Sequence, residues 1–132
     1  VTAVVAPRDR ACSLTPVVRK VAAGAAELVP FVQVTNLVRA LEGVKRRGLW
    51  VVGTEGEAAR DLFAADLTGP LALVMGAEGR GMRRLTGEAC DYTLRLPMLG
   101  AVESLNVSVA AGIVLYEALR QRRAPGPVAK AL

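Results

Sequence analysis

A chain of 132 residues, 52 % of them hydrophobic, suits one domain with a sizeable core. It contains no His, which excludes Ser-His-Asp and Cys-His catalysis and every His-containing zinc site. Seventeen Lys and Arg against 12 Asp and Glu leave a net charge of +5, which tilts toward a polyanionic partner. No apolar run approaches the roughly 18 residues of a membrane span and no signal-peptide pattern is found, so a cytoplasmic protein is expected.

Thr2–Ala6 reads as a buried strand, and a chain that opens in mid-strand is expected to have a segment upstream. Pro16 to Ala26 reads as a helix. Phe31–Val34 is a short strand, after which Thr35 or Asn36 caps a helix that runs to Arg47 and stops at Gly48. Leu49–Val52 is an apolar strand, with Trp50 expected in the core. Glu57–Ala65 reads as a helix with acids near its start. Leu71–Met75 is a buried strand, Met82 to about Ala89 a short helix, and Tyr92–Leu96 a strand before Pro97. Val107 to Leu119 has only Ser108 and Glu117 as clearly polar residues. A helix that apolar is expected to be buried, with Ser104 and Asn106 available to cap its N-terminus. Pro125, Gly126 and Pro127 then break the pattern, so residues 124–132 are expected to form a mobile tail.

Apolar strands alternating with helices indicate an α/β fold with a parallel sheet covered on both faces. Cys12 and Cys90 stand far apart, with no CxxC and no partner His, and read as reduced core thiols. Basic residues cluster at Lys45-Arg46-Arg47, at Arg80, Arg83 and Arg84, and at Arg120, Arg122 and Arg123. Such clusters serve either as helix-end charges or as phosphate contacts. Two Phe, two Tyr and one Trp leave little scope for base stacking, which favours phosphate contact.

Ligands of open α/β sheets bind beyond the carboxyl ends of the strands. Three loops fall there: Gly53-Thr54-Glu55-Gly56, Gly76-Ala77-Glu78-Gly79-Arg80-Gly81, and Pro97 to Asn106. The second runs G-x-x-G-x-G, which is neither a dinucleotide fingerprint nor a phosphate-binding P-loop. Glu55 and Glu78 would repel phosphate. Glycine lets backbone approach a ligand closely, and the acids suit hydroxyls, amines or positive charge. A nucleoside carrying a sulfonium fits better than a nucleotide phosphate. Ordinary turn glycines with solvated acids are the plain alternative.

ALVMGAEGRGMRRL (Ala72–Leu85), LRLPM (Leu94–Met98) and ESLNVSVAAG (Glu103–Gly112) resemble the second and third motifs of the SpoU/TrmH branch of the SPOUT RNA methyltransferases. VAAGAAELVPFVQVTNL (Val21–Leu37) and WVVGT (Trp50–Thr54) resemble its bacterial RlmB subgroup, which methylates the ribose 2′-OH of a guanosine in large-subunit ribosomal RNA. The resemblance spans the chain to about Arg123. It implies a methyltransferase domain over residues 1–123, with a parallel α/β sheet and a C-terminal trefoil knot that binds S-adenosylmethionine. Backbone around Thr54, Gly76, Leu96, Met98 and Leu105 would hold the cofactor. Asn106, Ser104 and Glu78 match the motifs' polar positions near cofactor and target ribose. Arg8, Arg10, Arg80, Arg83 and Arg84 would contact RNA. The resemblance further implies a homodimer through the last helix and no metal.

A ribose 2′-OH needs its proton removed or held as it attacks a methyl group, and the cofactor supplies the electrophile, so neither His nor metal is needed. The family's first motif carries an Asn and an Arg, and no stretch of this sequence matches it. Two alternatives therefore stay open: a tRNA ribose 2′-O-methyltransferase, and a catalytically silent dimeric RNA-binding module.

Overall fold

The computed structural model describes residues 1–8, 28–76, 84–100 and 105–123. The chain forms two compact units, Val1–Ala40 and Leu41–Leu132. In the first, β1 (Val4–Pro7) pairs in parallel with β2 (Phe31–Val34), in register from Val4 opposite Phe31 to Pro7 opposite Val34. The strand near the N-terminus is therefore present, but it is not buried: Val4, Val5 and Val32 are all exposed. A two-stranded pair has no further layer of its own unit, among the described residues, to cover them. The expected helix from Pro16 to Ala26, Cys12 and the tail 124–132 lie outside the described residues.

Helix α1 (Leu37–Arg46) begins after its expected cap and ends one residue short of the expected Arg47. The Asn36 side-chain oxygen accepts from the Arg39 amide at 3.0 Å, satisfying a first-turn donor. At the other end, the Gly48 amide donates to Lys45 O and the Leu49 amide to Val44 O, at 2.9 and 3.1 Å. That bond pair closes a helix through a left-handed residue, and Gly48 has φ +92°.

The second unit holds a four-stranded, all-parallel sheet in the order β4 (Arg60–Asp61), β6 (Tyr92–Arg95), β3 (Trp50–Thr54), β5 (Leu71–Val74). Central β3 is in register with β5 from Trp50–Leu71 to Gly53–Val74, and with β6 from Val52–Tyr92 to Thr54–Leu94. Asp91 locks the start of β6 to β3: its carboxylate accepts from the Val51 amide and its own amide donates to Val51 O, both at 2.7 Å. Lys45 lies 3.8 Å from the same carboxylate.

Short helix α2 (Arg84–Ala89) precedes β6, and long helix α3 (Val107–Arg123) ends the described chain. Val114 and Ala118 of α3 enter the core with Val52, Leu62, Ala65, Leu67 and Leu94. Leu62, Leu67 and Leu94 are fully buried, and each such burial stabilises the fold by roughly 1.5–3 kcal/mol. The last turns of α3 are tied to the loop beneath by side chains. Gln121 accepts from the Leu67 amide at 2.7 Å and donates to Ala65 O at 2.9 Å. Arg122 donates to Leu67 O and Gly69 O at 3.1 and 2.6 Å.

Three further expectations are corrected. Glu57–Ala65 is not a helix but the short strand β4 followed by a single 3-10 turn at Leu62–Ala64. Arg60 and Asp61 pair with Leu94 and Arg95, and Asp61, in extended conformation, caps the turn by accepting from the Phe63 amide at 2.8 Å. Pairing with a strand distant in sequence outweighs local helix propensity. Trp50 is 58 % exposed rather than in the core, because its place at the start of β3 puts it on the sheet rim. Helix α3 is buried only on the stripe of Ala110, Val114, Glu117 and Ala118, whereas Val109, Ile113, Leu115, Tyr116 and Leu119 are exposed. One sheet can cover only one face of a helix.

Candidate functional site at the carboxyl edge of the sheet

Strands β5, β3 and β6 are adjacent and parallel, so their carboxyl ends open on one edge. Thr54 ends β3, Gly76 lies two residues beyond β5, and Leu96, Pro97 and Met98 follow β6. Four of the five residues expected to bind cofactor, Thr54, Gly76, Leu96 and Met98, thus come from neighbouring strand ends, and all are half-buried. The Thr54 hydroxyl donates to Met75 Sδ at 3.9 Å, tying two of these ends together. The Glu55 amide donates to Leu94 O at 2.9 Å, tying β3 to β6. Gly100, at φ +93°, turns the chain after the third end in a conformation that favours glycine.

Leu105 and Asn106 stand at the start of α3 rather than on the strand ends. The Asn106 side-chain oxygen accepts from the Ser108 amide at 2.8 Å and from the Val109 amide at 3.4 Å. It is therefore the helix cap anticipated from sequence. Ser104, Glu78, Arg10, Arg80 and Arg83 lie outside the described residues. Arg8 follows β1, where its amide donates to Val34 O at 2.8 Å. Arg84 opens α2 as an exposed residue and pairs with Glu88 at 3.2 Å.

The third basic cluster has structural duties. Arg120 binds Glu117 through two nitrogens at 2.7 and 2.9 Å, and Gln121 donates to the same carboxylate at 2.8 Å. These hydrogen bonds hold the Glu117 carboxyl down at about 2 although it is buried. The Cys90 thiol donates to Thr86 O at 3.4 Å, and burial pushes it up, away from nucleophilic reactivity.

Sequence reasoning missed Arg95. Its Nη1 donates to Ala58 O at 2.9 Å and Ala59 O at 2.8 Å, in the segment that leaves β3. The available signal was a single cation between two leucines, Leu94 and Leu96, at the end of β6. An open cavity of about 490 Å³ lies at the other edge, among Trp50, Arg60, Asp66, Leu71 and Tyr92, where the strands begin. It shares none of the expected site residues.

A parallel sheet whose adjoining carboxyl ends carry glycine-rich loops is the frame of an α/β ligand-binding enzyme. Residues 1–116 match the profile of the SpoU rRNA methylase family, and the chain belongs to that family. It is 63 % identical over 122 residues to the 23S rRNA (guanosine-2′-O-)-methyltransferase RlmB of Pseudomonas putida, covering 92 % of this chain and 49 % of that protein. It is 58 % identical over 127 residues to the RlmB of Coxiella burnetii, covering 96 % and 51 %. The chain thus spans about half the length of these relatives. In structure it is similar to the SpoU methyltransferase AviRb from Streptomyces viridochromogenes, solved in complex with the cofactor AdoMet. That match has a TM-score of 0.84 and 31 % identity over 92 % of this chain and 50 % of AviRb. The A. aeolicus TrmH/SpoU tRNA modifying enzyme matches with a TM-score of 0.77 and 32 % identity over 90 % of this chain and 61 % of that one.

Proposed function

We propose that the chain is the methyltransferase domain of an enzyme that uses S-adenosylmethionine to methylate the ribose 2′-OH of a guanosine in 23S rRNA. The observation that carries this reading is the meeting of the WVVGT, LVMG and LRLPM ends on three adjacent parallel strands. The donor set there fits the cofactor. Leu96, Met75 and Met98 offer half-buried apolar surface for an adenine, and strand-end backbone with the Thr54 hydroxyl offers polar groups for ribose and amino acid. Glu55 is exposed beside them and suits a cation better than a phosphate.

S-adenosylmethionine supplies the electrophilic methyl group. The chain's part is to bind and orient. Thr54, Gly76, Leu96, Met98 and Leu105 hold the cofactor. Asn106, Ser104 and Glu78 hold the ribose and its hydroxyl proton. Arg8, Arg10, Arg80, Arg83 and Arg84 contact RNA phosphates. The methyltransferase domain covers residues 1–123 and carries a C-terminal trefoil knot, and residues 124–132 form a tail. No metal takes part. A homodimer forms through the exposed apolar side of α3, and the enzyme works in the cytoplasm. No helix among the described residues is long and apolar enough to cross a membrane.

The test is transfer of a labelled methyl group from S-adenosylmethionine to undermethylated 23S rRNA, with tRNA in parallel. Label on a guanosine 2′-O of the rRNA is expected. Label on tRNA alone would install the tRNA enzyme, and RNA binding without transfer would install the silent module.

A further inference from the structure

The segment 55–59, which leaves the central strand at the carboxyl edge, is fastened at both ends to β6. At its start the Glu55 amide bonds Leu94 O at 2.9 Å. At its end the carbonyls of Ala58 and Ala59 both receive Arg95 Nη1, at 2.9 and 2.8 Å. Between these ties Glu55, Gly56 and Glu57 are exposed, and a Cβ placed on Gly56 would meet nothing within 4 Å. Among the described residues, packing does little to shape these three positions. Besides the buried Ala58, whose amide donates to Glu55 O at 3.2 Å, the segment is held by a charge-assisted donor shared by two of its carbonyls. Arg95 lies between Leu94 and Leu96, so the guanidinium that clamps one wall of the candidate cradle grows from the strand that continues into the other wall.

We propose that Arg95 is a positioning residue for cofactor binding. It holds the segment 55–59 in the shape that receives S-adenosylmethionine and does not touch the reacting atoms. A segment ordered before binding loses less conformational entropy when the ligand arrives, so the clamp acts on affinity. The proposal rests on the reading of the strand ends as the cofactor cradle.

The experiment compares the full-length protein with its Arg95→Met and Arg95→Lys variants. Calorimetric S-adenosylmethionine affinity is measured with KM for each substrate, kcat and the thermal midpoint. Arg95→Met keeps the apolar stem and removes both bonds. Its cofactor Kd and KM are expected to rise roughly tenfold, the scale of one charged hydrogen bond. KM for rRNA and kcat at saturating cofactor should stay at wild-type values. Arg95→Lys, with one compact donor, should fall between. The same loss is expected with 5′-methylthioadenosine, which lacks the carboxylate, because the clamp acts through the backbone.

A folded Arg95→Met protein with wild-type cofactor affinity would overturn the proposal. So would a loss confined to carboxylate-bearing ligands, which would make Arg95 a direct contact, or a matching rise in KM for rRNA. If Arg95→Met fails to fold, the Lys variant decides: weakened cofactor binding supports the clamp and unchanged binding removes it. A wild-type protein that binds no cofactor would instead sink the cradle reading itself.

Discussion

Asn106 caps α3 and is also the residue proposed to act at the ribose. Its carboxamide oxygen is committed to the first amides of α3, and the proposed role at the ribose belongs to the same group. The two duties separate by substitution. Asn106→Ala removes the cap and should cost about 1 kcal/mol of stability as well as methyl transfer. Asn106→Asp keeps an acceptor, places a negative charge at the positive end of the helix and should hold its melting temperature. It should still lose most methyl transfer, because the amide donor is gone. Full turnover by Asn106→Asp would take this residue out of the site.

Glu117 is a second case, since a carboxylate is the last residue expected on a buried stripe. Three hydrogen bonds from Arg120 and Gln121 hold its carboxyl at about 2, against an ordinary 4.5. A depressed carboxyl stabilises the folded state above its ordinary pKa and loses that contribution as pH falls through the folded value. Melting temperature should therefore drop as pH falls from about 4.5 toward 2. The difference between wild type and Glu117→Gln should shrink over the same window. A difference independent of pH would show that charge on Glu117 contributes nothing.

At the level of elements, α1 is the piece most fully written in its sequence. Asn36 starts it and Gly48 stops it, each through bonds that neighbours in the chain provide. Gly48→Ala meets open space but places a Cβ at φ +92°. It should cost about 1 kcal/mol by backbone strain alone, read as a lowered melting temperature with unchanged cofactor affinity. The region from Glu57 to Ala65 is the reverse case. Its composition favours a helix, yet the carbonyls of Ala58 and Ala59 belong to Arg95, and Arg60–Asp61 belong to β6. Those partners lie some 35 residues away in sequence, as Asp61 opposite Arg95 shows. Helix α3 lies between the two. Its length and cap are legible locally, but only the sheet decides which side is buried.

At the scale of the molecule, the order β4-β6-β3-β5 gathers the strand ends at Thr54, Val74 and Arg95, far apart in sequence, onto one edge. The same packing leaves Val109, Ile113, Tyr116 and Leu119 of α3 exposed along one side of a single chain. A strip of that kind usually marks an interface. Tyr116→Glu should shift the proposed dimer to monomer in sedimentation equilibrium, because a desolvated charge facing its own symmetry copy is costly. A protein that stays dimeric with Tyr116→Glu would move the interface elsewhere.

The strands from Phe31 to Val34 and Tyr92 to Arg95 and the α/β class were legible from short apolar runs bounded by turn residues, and the caps of α1 and α3 because they rest on contacts within a few residues. The family resemblance named Thr54, Gly76, Leu96 and Met98, and they meet because parallel strands place their carboxyl ends together. Tertiary structure alone decided that Trp50 lies on the rim, that Glu117 is buried, that β4 replaces a helix and that Arg95 clamps the segment 55–59. Each of these depends on a partner brought near only when distant strands pair, and no local period in the sequence carries that information.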